Sequence, residues 1–302
     1  MDEFAFINWI RGQGAFDADR VPVGPGDDCA VVRVEGELLL MTTDQCADGV
    51  HFILDDCGPE AAGYKVMARS LSDIAAMGGR PLGAVATVSA PKGMSESDLQ
   101  AIYRGLRRAG DAFDCPLVGG DVSAWAHPLL MTTTMWGLPA GAAPVLRSGA
   151  APGEAICVTG TLGGSVATGK HLSFTPRVRD GRRLAERFPI GAMIDISDGL
   201  VADLGHLCRA SGVGAELHSE AIPLSPATSD RADPLAAALS DGEDYELLFT
   251  LPADAADALI SSQPLDVAVT RIGTVTAGVE RVLVDPSGRR RTLAETGWRH
   301  ST

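Results

Sequence analysis

The chain has 302 residues, 45% of them hydrophobic and 21% charged, enough for one large or two ordinary globular domains, two being the better match to the length. Its 25 basic and 39 acidic residues leave a net charge of -14, which argues against a nucleic-acid partner, and no run of 18 apolar residues exists to span a membrane. The six cysteines are scattered, with no CxxC pair, so zinc and redox motifs are unsupported and a reducing, cytoplasmic setting is expected.

Residues 1–17 read as a short amphipathic helix with Phe4, Ile7, Trp9 and Ile10 as apolar contacts, and they lack the apolar core of a signal peptide. A VPVGPGDD loop follows, then a strand CAVVRV, a turn at Glu35-Gly36 and a strand ELLLMTTD. Whether Asp27 and Asp28 meet Asp44 depends on the register of that pair, which sequence does not fix. Residues 59–78 carry Ala62, Val66, Ala68, Leu71, Ile74 and Ala75 at helical spacing, and Gly78, Gly79 and Pro81 end the helix. A strand over 82–91 precedes a helix that opens at the SESD capping pattern of Ser95 and runs to about Phe113. CPLVGGD reads as a buried strand ending in a loop, and HPLLMTTTMWGL as another strand.

This alternation makes residues 1–138 an α/β layered domain. Residues 139–153, rich in Pro, Gly and Ala, read as a link. Residues 154–302 form a second α/β series. Its strands are EAICVTG, AMIDIS, GAELH, YELLFTL, VAVTRIG and RVLVD, with helices over 178–188, 199–211, 231–240 and 253–261.

The acids share one context: Asp27, Asp28, Asp44, Asp73, Asp121, Asp195, Asp198, Glu243 and Asp244 lie where an apolar strand or helix gives way to a loop. Carboxylates at strand ends can converge on one crevice, where open α/β sheets bind ligands. Singly each is weak. A Gly-Asp turn is common, Asp73 would suit a solvated helix face, and Ser197 or Asp198 could simply cap the helix that begins near Gly199. Together they suit Mg²⁺, which takes carboxylates, water and substrate phosphates. Bare acids would repel a nucleotide, so several acids imply several metal ions. GSVATGKH, residues 164–171, nearly matches a P-loop, but His171 replaces the hydroxyl residue and Pro176 leaves no room for the required helix.

Eight segments resemble the thiamine-monophosphate kinase family of the aminoimidazole-ribonucleotide synthetase-like superfamily: VGPGDDCAVV, LLLMTTDQCADGVHF, ARSLSDIAAMGGRP, LVGGDVS, RSGAAPGEAICVTGTLG, AMIDISDGLVADLGHLCRASGVGA, DGEDYELLFTLP and the terminal TGW. They occur in family order and span nearly the whole chain. The resemblance implies an α/β (α+β) two-domain synthetase-like fold, with an N-terminal mixed-sheet domain that forms a dimer barrel and a C-terminal α/β domain. It implies Asp28, Thr42, Thr43, Asp44, Asp73, Asp121, Asp195 and Asp198 as metal positions. Tyr103, Gly120, Asp121, Arg147 and Ser197 match nucleotide contacts. His51, Glu243 and Trp298 match substrate contacts. The implied reaction is transfer of a phosphoryl group from ATP to thiamine monophosphate, assisted by several Mg²⁺ ions, in a cytoplasmic homodimer. The acceptor is already a phosphate, so no general base is expected.

Four features depart from the family pattern. GGDVS stands where GGDTT is usual, with Val122 replacing a hydroxyl residue. SDGEDYE adds Asp241 near the substrate, residues 161–177 are short, and RHST replaces an aromatic ending. The rivals within the superfamily are selenophosphate synthetase, aminoimidazole-ribonucleotide synthetase and the hydrogenase-maturation dehydratase; the first would want a reactive cysteine in a Gly-rich N-terminal segment and the last a C-terminal one, and the sequence has neither. A non-catalytic nucleotide-binding protein on the same scaffold would bind ATP without turnover.

Overall fold

The computed structural model of the chain describes residues 3–13 and 16–294. After a first helix α1 (Glu3–Gln13), strands β1 (Ala30–Val34) and β2 (Glu37–Ala47) pair antiparallel about a two-residue turn. Glu35 and Gly36 both take positive φ, 51° and 93°, the backbone that such hairpin turns require. The register pairs Ala30 with Met41, which turns the Asp28 end of one strand toward the Asp44 end of the other. Helix α2 (Leu54–Ala76), strand β3 (Gly79–Pro91), helix α3 (Glu96–Asp111) and strands β4 (Leu117–Trp125) and β5 (Leu130–Pro139) complete the first half. The five strands form one sheet in the order β1-β2-β5-β3-β4.

Helix α2 starts earlier than expected and is kinked at Gly58, where Pro59 opens its long second segment. It packs on α3 without side chains between the two backbones. A Cβ on Gly63 would lie 2.3 Å from the Ile102 carbonyl, and one on Gly105 2.0 Å from the Glu60 carbonyl. Ser95 caps α3 through the expected capping box. Of the contacts expected from α1, Trp9 is exposed and stacks on Phe6, so it belongs to no core; the Phe4 side chain lies outside the described residues.

One strand corrects the sequence reading. The segment expected as a buried strand ending at Asp121 is β4, a mostly exposed edge strand that runs on to Trp125. Hydropathy alone suggested burial, but β4 pairs only with β3, in parallel, and leaves Val118 and Val122 open. Pro81 likewise does not separate α2 from the next strand, because β3 begins at Gly79 and absorbs an irregularity between Pro81 and Gly83.

The second half supplies β6 (Ala155–Thr159), a one-turn helix α4 (Ser165–Thr168), α5 (Val178–Arg187), β7 (Ala192–Asp195), α6 (Leu200–Ser211) and β8 (Gly214–His218). Then come α7 (Pro234–Ser240), β9 (Leu247–Leu251), α8 (Ala253–Ser262), β10 (Val269–Thr276), β11 (Arg281–Val284) and β12 (Arg290–Thr292). Their sheet has the order β12-β11-β8-β10-β6-β9-β7. Strands β6, β7 and β9 are buried along their whole length. Alternate residues serve two cores: Cys157, Met193 and Phe249 point to a core shared with α2 and the first sheet, while Val158, Ile194 and Leu248 point to a second core under α6. The fold is therefore mixed α/β with two sheets, and α2 lies between them.

Because α2 and α3 touch through backbone, Gly105→Ala should destabilise the protein by about 1–3 kcal/mol. Chemical denaturation would measure it, and an unchanged midpoint would show that the helices can separate freely.

Candidate active site

Three carboxylates meet where the two sheets face each other. Asp28 comes from the loop before β1, Asp73 from the last turns of α2, and Asp195 from the end of β7; their oxygens lie within 4.8 Å of one another. Asp28 and Asp195 are buried and Asp73 partly so. Polar neighbours hold each one. Arg147, in the segment between the sheets, grips Asp28 with Nε at 3.2 Å and Nη2 at 2.7 Å, while its amide donates to Asp27. The Thr42 hydroxyl donates to Asp73, and Ser72 Oγ donates to Asp195 at 2.5 Å.

One guanidinium does not neutralise three acids. Burial first, then the charges of Asp44, Asp195 and Asp28, push Asp73 well above the usual carboxylate range. Burial and Asp28 push Asp195 up to about 7, and the same two causes raise Asp27 to about 7. Buried, oxygen-only donors from separate elements, crowded enough to repel one another, are the donor set that a hard divalent cation fits. Asp44 stands beside them on β2, accepting from Ser70 Oγ at 2.9 Å and ion-paired with Arg69 at 3.3 Å. Thr43, the next residue along β2, points to the opposite face and donates to the Thr133 carbonyl at 3.1 Å.

Asp198 belongs to a different group. It shares a second cluster with Asp203 and His206, whereas Asp195 is grouped with Asp28 and Asp73. Asp203 accepts from the amides of Asp198 and Gly199, both at 3.1 Å, and so fixes the entry to α6. Burial, then Arg147, pushes His206 down to about 3, leaving a neutral imidazole. Ser197 and Asp198 also line a pocket of about 170 Å³ with His51, Arg69, Glu243 and Tyr245. There Glu243 takes a positive φ of 68° and is ion-paired with Lys65, which is fully buried and also donates to the His51 carbonyl at 2.7 Å. His51 Nδ1 accepts from the Ala47 amide at 3.1 Å.

Tyr103, Gly120 and Asp121 form a separate groove of about 510 Å³ between α3 and β4, floored by Ala86, Leu99 and Ile102. No side chain fits at Gly120, where a Cβ would lie 1.8 Å from the Ala86 carbonyl. The pairings Asp44 with Thr133, Thr133 with Ala86, and Ala86 with Gly120 put Asp121 three strands from Asp44, roughly 14 Å away at normal strand spacing. Asp121 therefore does not join the buried acids within one chain. Trp298 lies outside the described residues.

The short segment 161–177 closes over the loop before β9. The Gly163 amide donates to Asp244 at 2.8 Å, Ser165 Oγ to the Glu243 carbonyl at 2.6 Å, and Arg177 forks onto Glu246 at 2.7 Å through two nitrogens. Asp241 accepts from the Gly164 amide at 3.1 Å and pairs with Arg231 at 3.2 Å. Its charge is thus spent on the clamp rather than turned to a substrate. The GKH motif forms no P-loop, because α4 precedes Lys170 and Lys170 itself opens a 3-10 turn that ends at Leu172.

Comparison with known proteins decides the family. Residues 26–138 match the family described as AIR synthase related protein, N-terminal domain, and residues 151–285 match AIR synthase related protein, C-terminal domain. The thiamine-monophosphate kinase of Rhodopirellula baltica is 38% identical over 286 residues, covering 90% of this chain and 89% of that one. The chain belongs to the thiamine-monophosphate kinase family. The family's Escherichia coli K12 member is 37% identical over 306 residues, covering 93% of this chain and 92% of its own. A solved structure described as AaThiL complexed with AMPPCP and TMP superposes with a TM-score of 0.86 at 31% identity, covering 99% of this chain and 97% of that chain.

Sequence reasoning passed over several residues of this family member's site: Lys65, Arg69, Ser70, Ser72, Asp203 and Tyr245. One signal was available. Lys65, Arg69 and Asp73 stand four apart in an apolar helix, which places three charged groups on one face.

Asp73 tests the repulsion. Its pKa is raised on folding, so the folded state holds a proton that the unfolded state releases, and the resulting destabilisation is absent below about pH 4 and grows above it. In a chelator, Asp73→Asn should raise stability at neutral pH by on the order of 1–4 kcal/mol, and the gain should fade toward about pH 4. Thermal melts at several pH values check this. A loss of stability at neutral pH would mean that the acids do not oppose one another.

Proposed function

We propose that this protein transfers the terminal phosphoryl group of ATP to thiamine monophosphate, giving thiamine diphosphate and ADP. The observation that carries the reading is the trio Asp28, Asp73 and Asp195, drawn from both halves of a chain of this family. Mg²⁺ held there would neutralise phosphate charge and orient the two substrates, with Thr42 and Asp44 beside the trio, while Asp198 and Asp121 would serve further ions at the second cluster and at the nucleotide groove. The structural relative that holds AMPPCP and TMP supports ATP and thiamine monophosphate as the pair.

The chain's own residues supply placement. Arg147 keeps Asp28 in the cluster and has N–H donors left for a triphosphate. The groove of Tyr103, Gly120 and Asp121 would take the nucleotide, and the pocket of His51, Ser197 and Glu243 the acceptor. The acceptor phosphate is ionised at neutral pH, so an in-line attack needs no general base, and positioning with charge neutralisation carries the catalysis. We place the protein in the cytoplasm, where its six free thiols stay reduced.

A homodimer completes the proposal. Strand β4 is an open edge bearing exposed Val118 and Val122, and it also carries Gly120 and Asp121. Pairing there with a second copy would cover apolar surface and place the nucleotide groove at the interface.

Incubation with Mg-ATP and thiamine monophosphate should yield thiamine diphosphate, detected by chromatography. No product, with free thiamine also inert, would sink the kinase reading, and ATP binding without turnover would favour a binding protein. Asp195→Asn and Asp121→Asn should each lower kcat at least a hundredfold, an effect on the order of that of removing one electrostatic contact to the transition state. Light scattering should give twice the chain mass.

A further inference from the structure

The pocket beside the acidic cluster is lined by two residues whose buried donor atoms make no hydrogen bond among the described residues. Among the described residues the Tyr245 hydroxyl has no hydrogen-bond partner, and neither has Nε of Arg69. Both residues line the 170 Å³ pocket. Arg69 lies 3.3 Å from Asp44 through that Nε, without hydrogen-bond geometry, and its Nη1 reaches only the weak acceptor Sγ of Cys46, at 3.8 Å. Tyr245 is held in place firmly. Its φ is 51°, uncommon for a bulky residue, its ring stacks on Phe174 with centroids 4.0 Å apart, and its amide donates to the Ile196 carbonyl at 2.8 Å.

Buried donors without partners are rare in folded proteins and point to a ligand that supplies the acceptor. The two donors differ in kind but want the same partner. A guanidinium and a phenol both donate to an anionic oxygen, and Arg69 has donors to spare while it offsets Asp44. Of the two acids that line the pocket, Glu243 is paired with Lys65 and Asp198 is grouped with Asp203 and His206. The volume sets the size of the anion: drug-sized ligands occupy roughly 300–1,000 Å³, so this pocket takes a phosphate group, with the rest of the molecule outside.

We propose that Arg69 and Tyr245 form an anion subsite that receives the phosphate group of the acceptor, next to the carboxylates that manage the transferred phosphoryl group. The identity of that acceptor rests on the kinase reading above, whereas the subsite rests on the two donors. Arg69 thereby spans the acceptor pocket and Asp44, and it positions the acceptor phosphate.

The test has two arms on the full chain. In the first, inorganic phosphate is titrated calorimetrically in a chelator. The unmodified protein should bind it, and Arg69→Gln should weaken binding about tenfold or more. Tyr245→Phe should weaken it by a smaller factor while leaving the melting temperature of the unliganded protein unchanged or raised, because the hydroxyl it removes has no partner. In the second arm, KM for thiamine monophosphate should rise about ten- to a hundredfold in Arg69→Gln with KM for ATP within about twofold, and inhibition by thiamine, which lacks the phosphate, should not change. Equal losses for thiamine and thiamine monophosphate, or constants unmoved in both variants, would overturn the subsite. So would a Tyr245→Phe protein that melts several degrees lower. If Arg69→Gln does not fold, Tyr245→Phe alone decides. Phosphate binding that depends on both residues, in a protein that does not turn over thiamine monophosphate, would keep the subsite and reject the kinase reading. Turnover with phosphate binding indifferent to both would do the reverse.

Discussion

Mutual repulsion among buried carboxylates is the constraint around which this protein is arranged. Asp28, Asp73 and Asp195 are drawn from a loop, a helix and a strand, and nothing local brings them together. The global fold must therefore supply the energy that crowds them. Helix α2 is the means. One face is packed into a core shared by both sheets, and its polar residues are directed at the carboxylates from below. Ser70 and Ser72 donate to Asp44 and Asp195, and Lys65 holds Glu243 across the gap between the two halves. A site that is unfavourable for the bare fold and favourable once a cation or phosphate enters is the usual exchange of stability for function.

The same constraint explains the clamp over the acceptor pocket. The loop before β9 carries Asp241, Glu243, Asp244 and Glu246 within six residues, a run that would repel itself if left free. Each acid instead has an assigned donor from elsewhere: Gly164 and Arg231, Lys65, Gly163, and Arg177 with Lys170. Segment 161–177 is short yet supplies four of these donors, so its length reflects a tight closure. Burial still raises Asp244 to about 7, the remaining penalty of closing acids away from water.

Much of the fold was legible. The hairpin at Glu35-Gly36, the capping box at Ser95, the long helix ending near Gly78 and the central strands of the second half all followed from local pattern, because each is set by contacts within a few residues. The misjudged elements depend on partners. Strand β4 has a buried strand's hydropathy but an edge position, and β12 is too short and polar to announce itself before it pairs with β11.

The acids were legible as a set, since their order along the chain carries the family resemblance. Sequence by itself determined the family, the element order and which carboxylates are available. Only the tertiary structure decided which of them meet. It joined Asp28, Asp73 and Asp195, separated Asp198 into a group with Asp203 and His206, and left Asp121 three strands away. The reason is physical: residue type and spacing fix local geometry, but strand order and the crossing of α2 between two sheets set the distances between segments, and a charge acts on another through distance and burial, which the linear chain does not contain.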